Sequence, residues 1–359
     1  VHLRVPQPEA ERGSAEAEGS LTGATSEADL LALAPLHFVN HRGDRYTGQN
    51  ERRKLADFSG EDQGWLRRGY DLMLNLFLAL KKQHPEREPS RAIIKAFIES
   101  GASGEMIRAF QQLGSSTVKE KESLGIARLI HDLRGGAFQA LSFRLELFDE
   151  ETADLSAQTI FFLVRDHLKI MRNGVQDLDP ERFEADRQHL QHEAKLLVEK
   201  WSDVSFHAAK TPVKVLFQSH YDGALCESCL EFSTLDRIIY NLMNNAAEHS
   251  DDGVVHFYLV PLPGDPPVDV RLVFRNQVNE EQQRQLREQF GDDPSEIFRG
   301  GFTTGGHGLG MRICADFCAQ AYGLSDFQRA KDKGYFGAKW IGDQFTTWFH
   351  WPIGNGSIL

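Results

Sequence analysis

Leu235–Ser250, LDRIIYNLMNNAAEHS, is the stretch on which the reading of the chain turns. Apolar residues at Leu235, Ile238, Ile239, Leu242, Met243 and Ala246 follow the i, i+3, i+4, i+7 spacing of a helix with one buried face. Asn241 and Asn245 stand four apart, so they share one side of that helix. Asparagine is a mediocre helix former. Solvent exposure explains one such residue; the sequence downstream suggests a use for a pair.

That downstream segment is Ile297–Phe317, IFRGGFTTGGHGLGMRICADF. Its core, Gly306-His307-Gly308-Leu309-Gly310, opens a further apolar helix. Glycines ahead of a helix let backbone N–H groups approach phosphate oxygens, and the helix N-terminus favours an anion. Between the two helices lie strand patterns at Val254–Val260 and Val268–Arg275, separated by the turn PLPGDPP. Further strand patterns fall at Val213–Gln218, Leu225–Phe232 and a terminal pair ending in TTWFHWPI. Strands alternating with helices in this way make an α/β sandwich.

Upstream the chain reads as helical. Val1–Ala34 is rich in Glu, Ala, Ser and Gly and reads as a loose arm, with His37–Tyr46 short and extended. Helices follow over Trp65–Lys82, over Arg91–Ser100 behind a Ser90 cap, and over Glu105–Leu113. A long helix over Ser116–Phe148 carries Ile126, Ile130, Leu133, Ala137, Leu141 and Leu145 as a seam. A second, Leu155–Leu178, carries Ile160, Leu163 or Val164, His167 or Leu168, Met171 and Val175. Two such helices cannot bury their seams alone, so a second copy is expected to complete a four-helix bundle. Arg182–Trp201 reads as one more helix.

With 359 residues the chain has room for two or three domains, and a net charge of −12 without a Lys/Arg cluster argues against a nucleic-acid surface. Its longest apolar run, Leu72–Leu80, is nine residues. A membrane-spanning helix needs ~20, so no membrane segment is expected. The chain opens on Val1 rather than Met, which fits a piece of a longer sensor. Cys226, Cys229, Cys314 and Cys318 form C-x-x-C and C-x-x-x-C pairs. These admit zinc or redox chemistry, but reduced packing thiols in a cytoplasmic protein are the expectation.

The Asn helix, the strand and the glycine lid, in that order, resemble the ATP-binding domain shared by sensor histidine kinases, gyrase-type ATPases and Hsp90-type chaperones. His131-Asp132-Leu133-Arg134, upstream in the first hairpin helix, resembles the start of the histidine-kinase phosphoacceptor motif H-[ED]-x-x-[TN]-P. The resemblance covers Lys119–Ile353. It implies an arm at 1–46, a small helical module at 47–115, a dimerising phosphotransfer hairpin at 116–180 and an α/β-sandwich ATP-binding domain at 181–355. His131 is then the acceptor of the γ-phosphate and Asp132 its hydrogen-bonding or proton-accepting neighbour. ATP is met by Asn241, Asn245, His249, Asn276, Thr303, Thr304, Gly306, Gly308, Leu309 and Gly310, with Mg2+ on Asn245. The partner implied is the receiver domain of a separate response regulator.

Asn241 discriminates within the superfamily. The ATPase branches place a water-activating glutamate there, so asparagine favours transfer to a side chain over hydrolysis. The alternative reading is a histidine phosphotransferase, or a pseudokinase scaffold, with a vestigial ATP domain. Three departures from the pattern bear on this. Gly135-Gly136 replaces the polar residue and proline after the acceptor, which preserves a helix bend but implies weak or absent phosphatase activity. Asn276-Gln277-Val278-Asn279-Glu280 replaces D-x-G-x-G, so Asn276 would meet adenine through a neutral carbonyl. Glu248 stands where many such kinases carry Lys or Arg.

Overall fold

A computed structural model of the chain describes residues 25–42, 52–83, 87–115, 123–148, 153–202, 204–206, 212–291, 293–301 and 309–353. The first element is α1 (Glu27–Leu31), begun by a capping box in which Ser26 and Asp29 satisfy each other's backbone N–H. After a 3-10 turn at Leu55–Asp57 come α2 (Gly60–Gln83), α3 (Arg87–Glu99) and α4 (Ala102–Gln112). Ser90 lies inside α3 rather than capping it.

The long helix expected over Ser116–Phe148 is two helices, α5 (Ser123–Arg134) and α6 (Gly136–Glu146). Gly135 is extended and Gly136 has φ +50°, a conformation glycine adopts without strain. The glycine pair therefore breaks the helix outright rather than bending it. Next is α7 (Ala153–Gly174). The single helix expected over Arg182–Trp201 is interrupted too: α8 (Pro180–Gln188), β1 (His192–Glu193) and α9 (Lys195–Trp201) stand in its place. Asp179 caps α8 and Pro180 occupies its first turn.

The remaining elements are β2 (Ser205–Phe206), β3 (Val213–Ser219), β4 (Ala224–Cys226), α10 (Cys229–Glu248), β5 (Val254–Pro261), β6 (Asp269–Gln277), α11 (Glu280–Phe290), a 3-10 turn at Pro294–Arg299, α12 (Gly310–Ala321), α13 (Phe327–Asp332), β7 (Phe336–Ile341) and β8 (Gln344–Pro352). The strand expected over Leu225–Phe232 ends at Cys226, because Ser228 caps α10 through the Glu231 N–H. The Asn-bearing helix is thus longer than the periodicity from Leu235 suggests.

Six strands form one sheet in the order β2-β3-β5-β6-β8-β7, with β3 and β5 parallel and the other pairs antiparallel. Alternation along the central strands splits their side chains between two faces. Val255, Phe257, Leu259, Leu272 and Phe274 face the main core with α10 and α12, while Tyr258, Val260, Val273 and Trp348 face a small cluster closed by Leu30 of α1. This is a helical N-terminal part followed by an α/β sheet layer.

The end of the expected loose arm is fastened to that second face. Arg271 is fully buried and donates to the carbonyls of Leu30, Leu31, Ala34 and Pro35 and to His350 Nε2. Burial holds its guanidinium down at about 10. A guanidinium with every donor used is how a buried charge becomes tolerable.

The hairpin seam is filled within the chain. Ile130, Leu133, Leu141, Ile160, Val164, Met171 and Val175 are buried in a core that includes Leu66, Met73 and Phe110 from α2 and α4. Phe110 packs 4.2 Å from Phe138 of α6, and Phe77 of α2 stacks 5.7 Å from Phe161 of α7. Each such ring fully removed from water contributes about 1.5–3 kcal/mol. The face read as awaiting a second copy is therefore covered by the chain's own N-terminal helices and by α10. No helix among the described residues is long and apolar enough to cross a membrane.

Candidate functional site

Three helices converge where the hairpin meets the sheet layer. Arg128 of α5 pairs with Asp316 of α12 at 3.2 Å. Asp132 of α5, buried, pairs with Arg237 of α10, whose guanidinium lies 4.2 Å over the Phe317 ring of α12. Burial works to raise the Asp132 carboxyl, but the Arg237 charge and His131 outweigh it and hold it below the ordinary carboxylate range. The Arg237 charge thus favours the ionised form of Asp132.

His131 sits on this platform with its side chain 19% exposed. Its Nδ1 faces Asp132 Oδ1 at 3.6 Å, and its Cε1 lies 3.9 Å from where a Cβ on Gly310 would stand. Gly310 is the first residue of α12, and Leu309 before it supplies no side-chain cap. A helix N-terminus without a side-chain cap favours an anion nearby. The structure places the expected acceptor histidine against the terminus where the glycine lid ends. The lid residues Thr303, Thr304, Gly306 and Gly308 lie outside the described residues; Leu309 and Gly310 border the site.

The asparagines divide by role. Asn241 faces the hairpin break: its Oδ1 lies 3.5 Å from where a Cβ on Gly136 would stand. Asn244 donates to the Gly136 carbonyl at 3.2 Å. Glycine is needed at Gly136 for its φ of +50° rather than for space, since a Cβ there would meet Tyr240 and Asn241 at ordinary contact distance. Asn245, one turn on and half-exposed, makes no side-chain hydrogen bond among the described residues. A neutral carboxamide oxygen is a donor type that suits Mg2+.

The segment expected to meet adenine differs. Asn276 is buried on β6, and its Nδ2 donates to the His249 carbonyl at 3.2 Å and to the Gln277 carbonyl at 3.3 Å. Only its oxygen remains to accept from a base. His249 is the C-cap of α10, with Nδ1 3.1 Å from Gln282 Nε2, and burial lowers its pKa. Asn279 caps α11 through the Gln282 N–H, so a helix begins where the D-x-G-x-G pattern would keep glycines. His249 and Asn276 lie beyond Asn241 toward the far end of α10, roughly 12 Å along its axis. Asn241, His131, Asp132 and Gly310 are brought together.

Arg237 and Asn244 were not singled out from the sequence. Arg237, Asn241 and Asn245 repeat every fourth residue on one helix side, which is the signal that carried Arg237. Asn244 had none, because its partner is a backbone carbonyl reached only by folding.

No family model matches this chain, and no curated protein matches it. Among solved structures, it aligns over 65% of its length with full-length ShkA in complex with AMPPNP, at 17% identity and TM-score 0.32, and spans 45% of that chain. It aligns over 63% with the histidine kinase AdeS of Acinetobacter baumannii, at 12% identity and TM-score 0.26, covering 98% of it. A bacterial phosphotransferase aligns over 65%, at 11% identity and TM-score 0.28, with 98% of that chain covered. At these TM-scores, functional assignment rests on the residues of this chain.

Proposed function

We propose that the protein is a histidine kinase core that transfers the γ-phosphate of ATP to His131 and then to an aspartate on a response-regulator receiver domain. The observation that carries this reading is His131 against Gly310 at the uncapped start of α12. Asn245, half-exposed and uncommitted, and the N–H groups of α12 fit a phosphate chain with Mg2+. When bound, the ion neutralises phosphate charge.

The chain's own residues set up the nucleophile. Asp132 faces Nδ1, which favours the tautomer carrying its proton there and leaves the Nε2 lone pair to attack. Arg237 keeps Asp132 ionised, so the positive charge that develops on the ring has a fixed counter-ion. Nothing at Asn241 activates water, in keeping with transfer rather than hydrolysis. Homodimerisation would use a surface other than the hairpin seam, which the chain's own helices fill.

Incubation with γ-labelled ATP and magnesium tests the reading. Wild type gains an acid-labile label, and His131→Gln and Asn245→Ala gain none. The spent nitrogen of Asn276 favours a second reading, in which His131 receives phosphate from another phosphoprotein. That reading stands if ATP gives no label while a phosphorylated receiver domain labels His131.

A further inference from the structure

The hairpin joins the sheet layer through α8 and β1, and this joint holds a group of side chains that phosphotransfer does not use. His189 caps the C-terminus of α8, His192 is the first residue of β1, and Cys229 is the first residue of α10. In sequence they belong to two pairs far apart, His189-x-x-His192 and Cys226-x-x-Cys229. Antiparallel pairing of β1 with β4, with His192 opposite Cys226, brings the pairs together. One nitrogen of each histidine and the Cys229 Sγ lie within 4.8 Å of one another. His192 Nε2 is already 3.0 Å from that sulfur.

We propose that His189, His192 and Cys229 form a site for a divalent cation of the zinc class, with solvent in the fourth position. Zn–N near 2.0–2.1 Å and Zn–S near 2.3 Å put tetrahedral donors on the order of 3.5 Å apart. The observed set contracts to that size mainly through His189, whose side chain is exposed. His192 is buried and held in place by the Phe232 ring, stacked 4.5 Å away. Imidazole and thiolate donors select zinc-like ions and exclude magnesium and calcium, which require oxygen. Binding of the ion displaces the Cys229 thiol proton, since the thiolate is the form that ligates. Occupied, the site pins the segment leaving the hairpin to the first turn of the helix that carries Asn245.

Cobalt(II) titration of the full chain, freed of metal with a chelator, tests this. Wild type takes up one ion per chain, with a thiolate-to-cobalt charge-transfer band in the near ultraviolet and tetrahedral d–d bands in the visible; zinc displaces the cobalt. His189→Ala, an exposed change that leaves folding intact, weakens binding beyond the ~10–100-fold that follows loss of an outer-shell partner. Cys229→Ser abolishes the charge-transfer band, and Cys226→Ser keeps it. The proposal is overturned if wild type shows no such band, if His189→Ala binds as wild type does, or if Cys226→Ser rather than Cys229→Ser removes the band.

Discussion

The two halves of α10 use polar residues in opposite ways. From Cys229 to Tyr240 every side chain is buried, Glu231, Ser233, Thr234, Asp236 and Arg237 included. These groups are spent on neighbours. Asn173 of α7 donates to the Leu230 carbonyl, Ser233 and Thr234. Lys200 of α9 lies 2.6 Å from Asp166 and 2.5 Å from Asp236, and Tyr240 donates to Asp166 at 3.0 Å. Burial and the Asp166 charge push Asp236 up to about 6, while Arg165 and Lys200 overcome burial to hold Asp166 low. From Asn241 onward Asn241, Asn244, Asn245 and Glu248 come toward the surface. One helix thus anchors the hairpin with its first half and turns polar groups toward solvent with its second. A polar residue in a helix reports function only once its partners are known.

The sharpest way to break this contrast is in the first half. Lys200→Met leaves two buried carboxylates facing each other, and losing one partner of a buried ion pair costs about 3–5 kcal/mol. Urea unfolding at neutral pH measures it; a loss under about 1 kcal/mol would mean the network contributes little to the hairpin's attachment. Asp132→Asn sits at the boundary between the halves. It strands Arg237 and costs about 3 kcal/mol, and it lowers autophosphorylation by about 10²-fold by removing the anion beside His131. A change in stability with labelling intact would make Asp132 purely structural.

A pH-dependent effect comes next. His167 of α7 is fully buried between Phe110 and Phe138, and neither ring nitrogen has a hydrogen-bond partner among the described residues. Burial lowers it from 6.5 to about 3. Between those values the unfolded chain binds the proton and the native chain does not, so stability falls as pH falls through that window. At pH 5 the loss from this residue is about 2 kcal/mol. His167→Leu removes it, seen as a shallower fall in unfolding free energy from pH 7 to pH 5. The smallest effect on stability belongs to the second half of α10. Asn245→Ala changes it by less than about 0.5 kcal/mol while abolishing labelling from ATP. A large stability loss there would show that Asn245, like Asn244, holds the fold.

The local patterns that read correctly were those whose burial matched their own periodicity. The seams of α5, α6 and α7, the strands β5 and β6 and the apolar face of α10 all needed only one buried side. The errors fell where a local competitor ended an element. The glycine pair divided the hairpin helix and Ser228 started α10 early; beyond these local causes, pairing of β1 with β4 interrupted the helix expected over Arg182–Trp201. α11 was passed over because it carries few apolar residues; an Asn279 cap starts it and Leu286 packs it against the core.

By itself the sequence determined the candidates for chemistry: a histidine followed by an acid, asparagines four apart, and glycines ahead of a helix. Those are properties of residue type and spacing, and spacing survives as geometry within one helix. Only the tertiary structure decided what each faces. It set His131 against Gly310, bound Asp132 to Arg237, spent Asn244 on Gly136 and the nitrogen of Asn276 on a helix end, and filled the hairpin seam with the chain's own helices. Those contacts join residues far apart in the chain, so no local pattern encodes them; they arise when the elements bury a shared core.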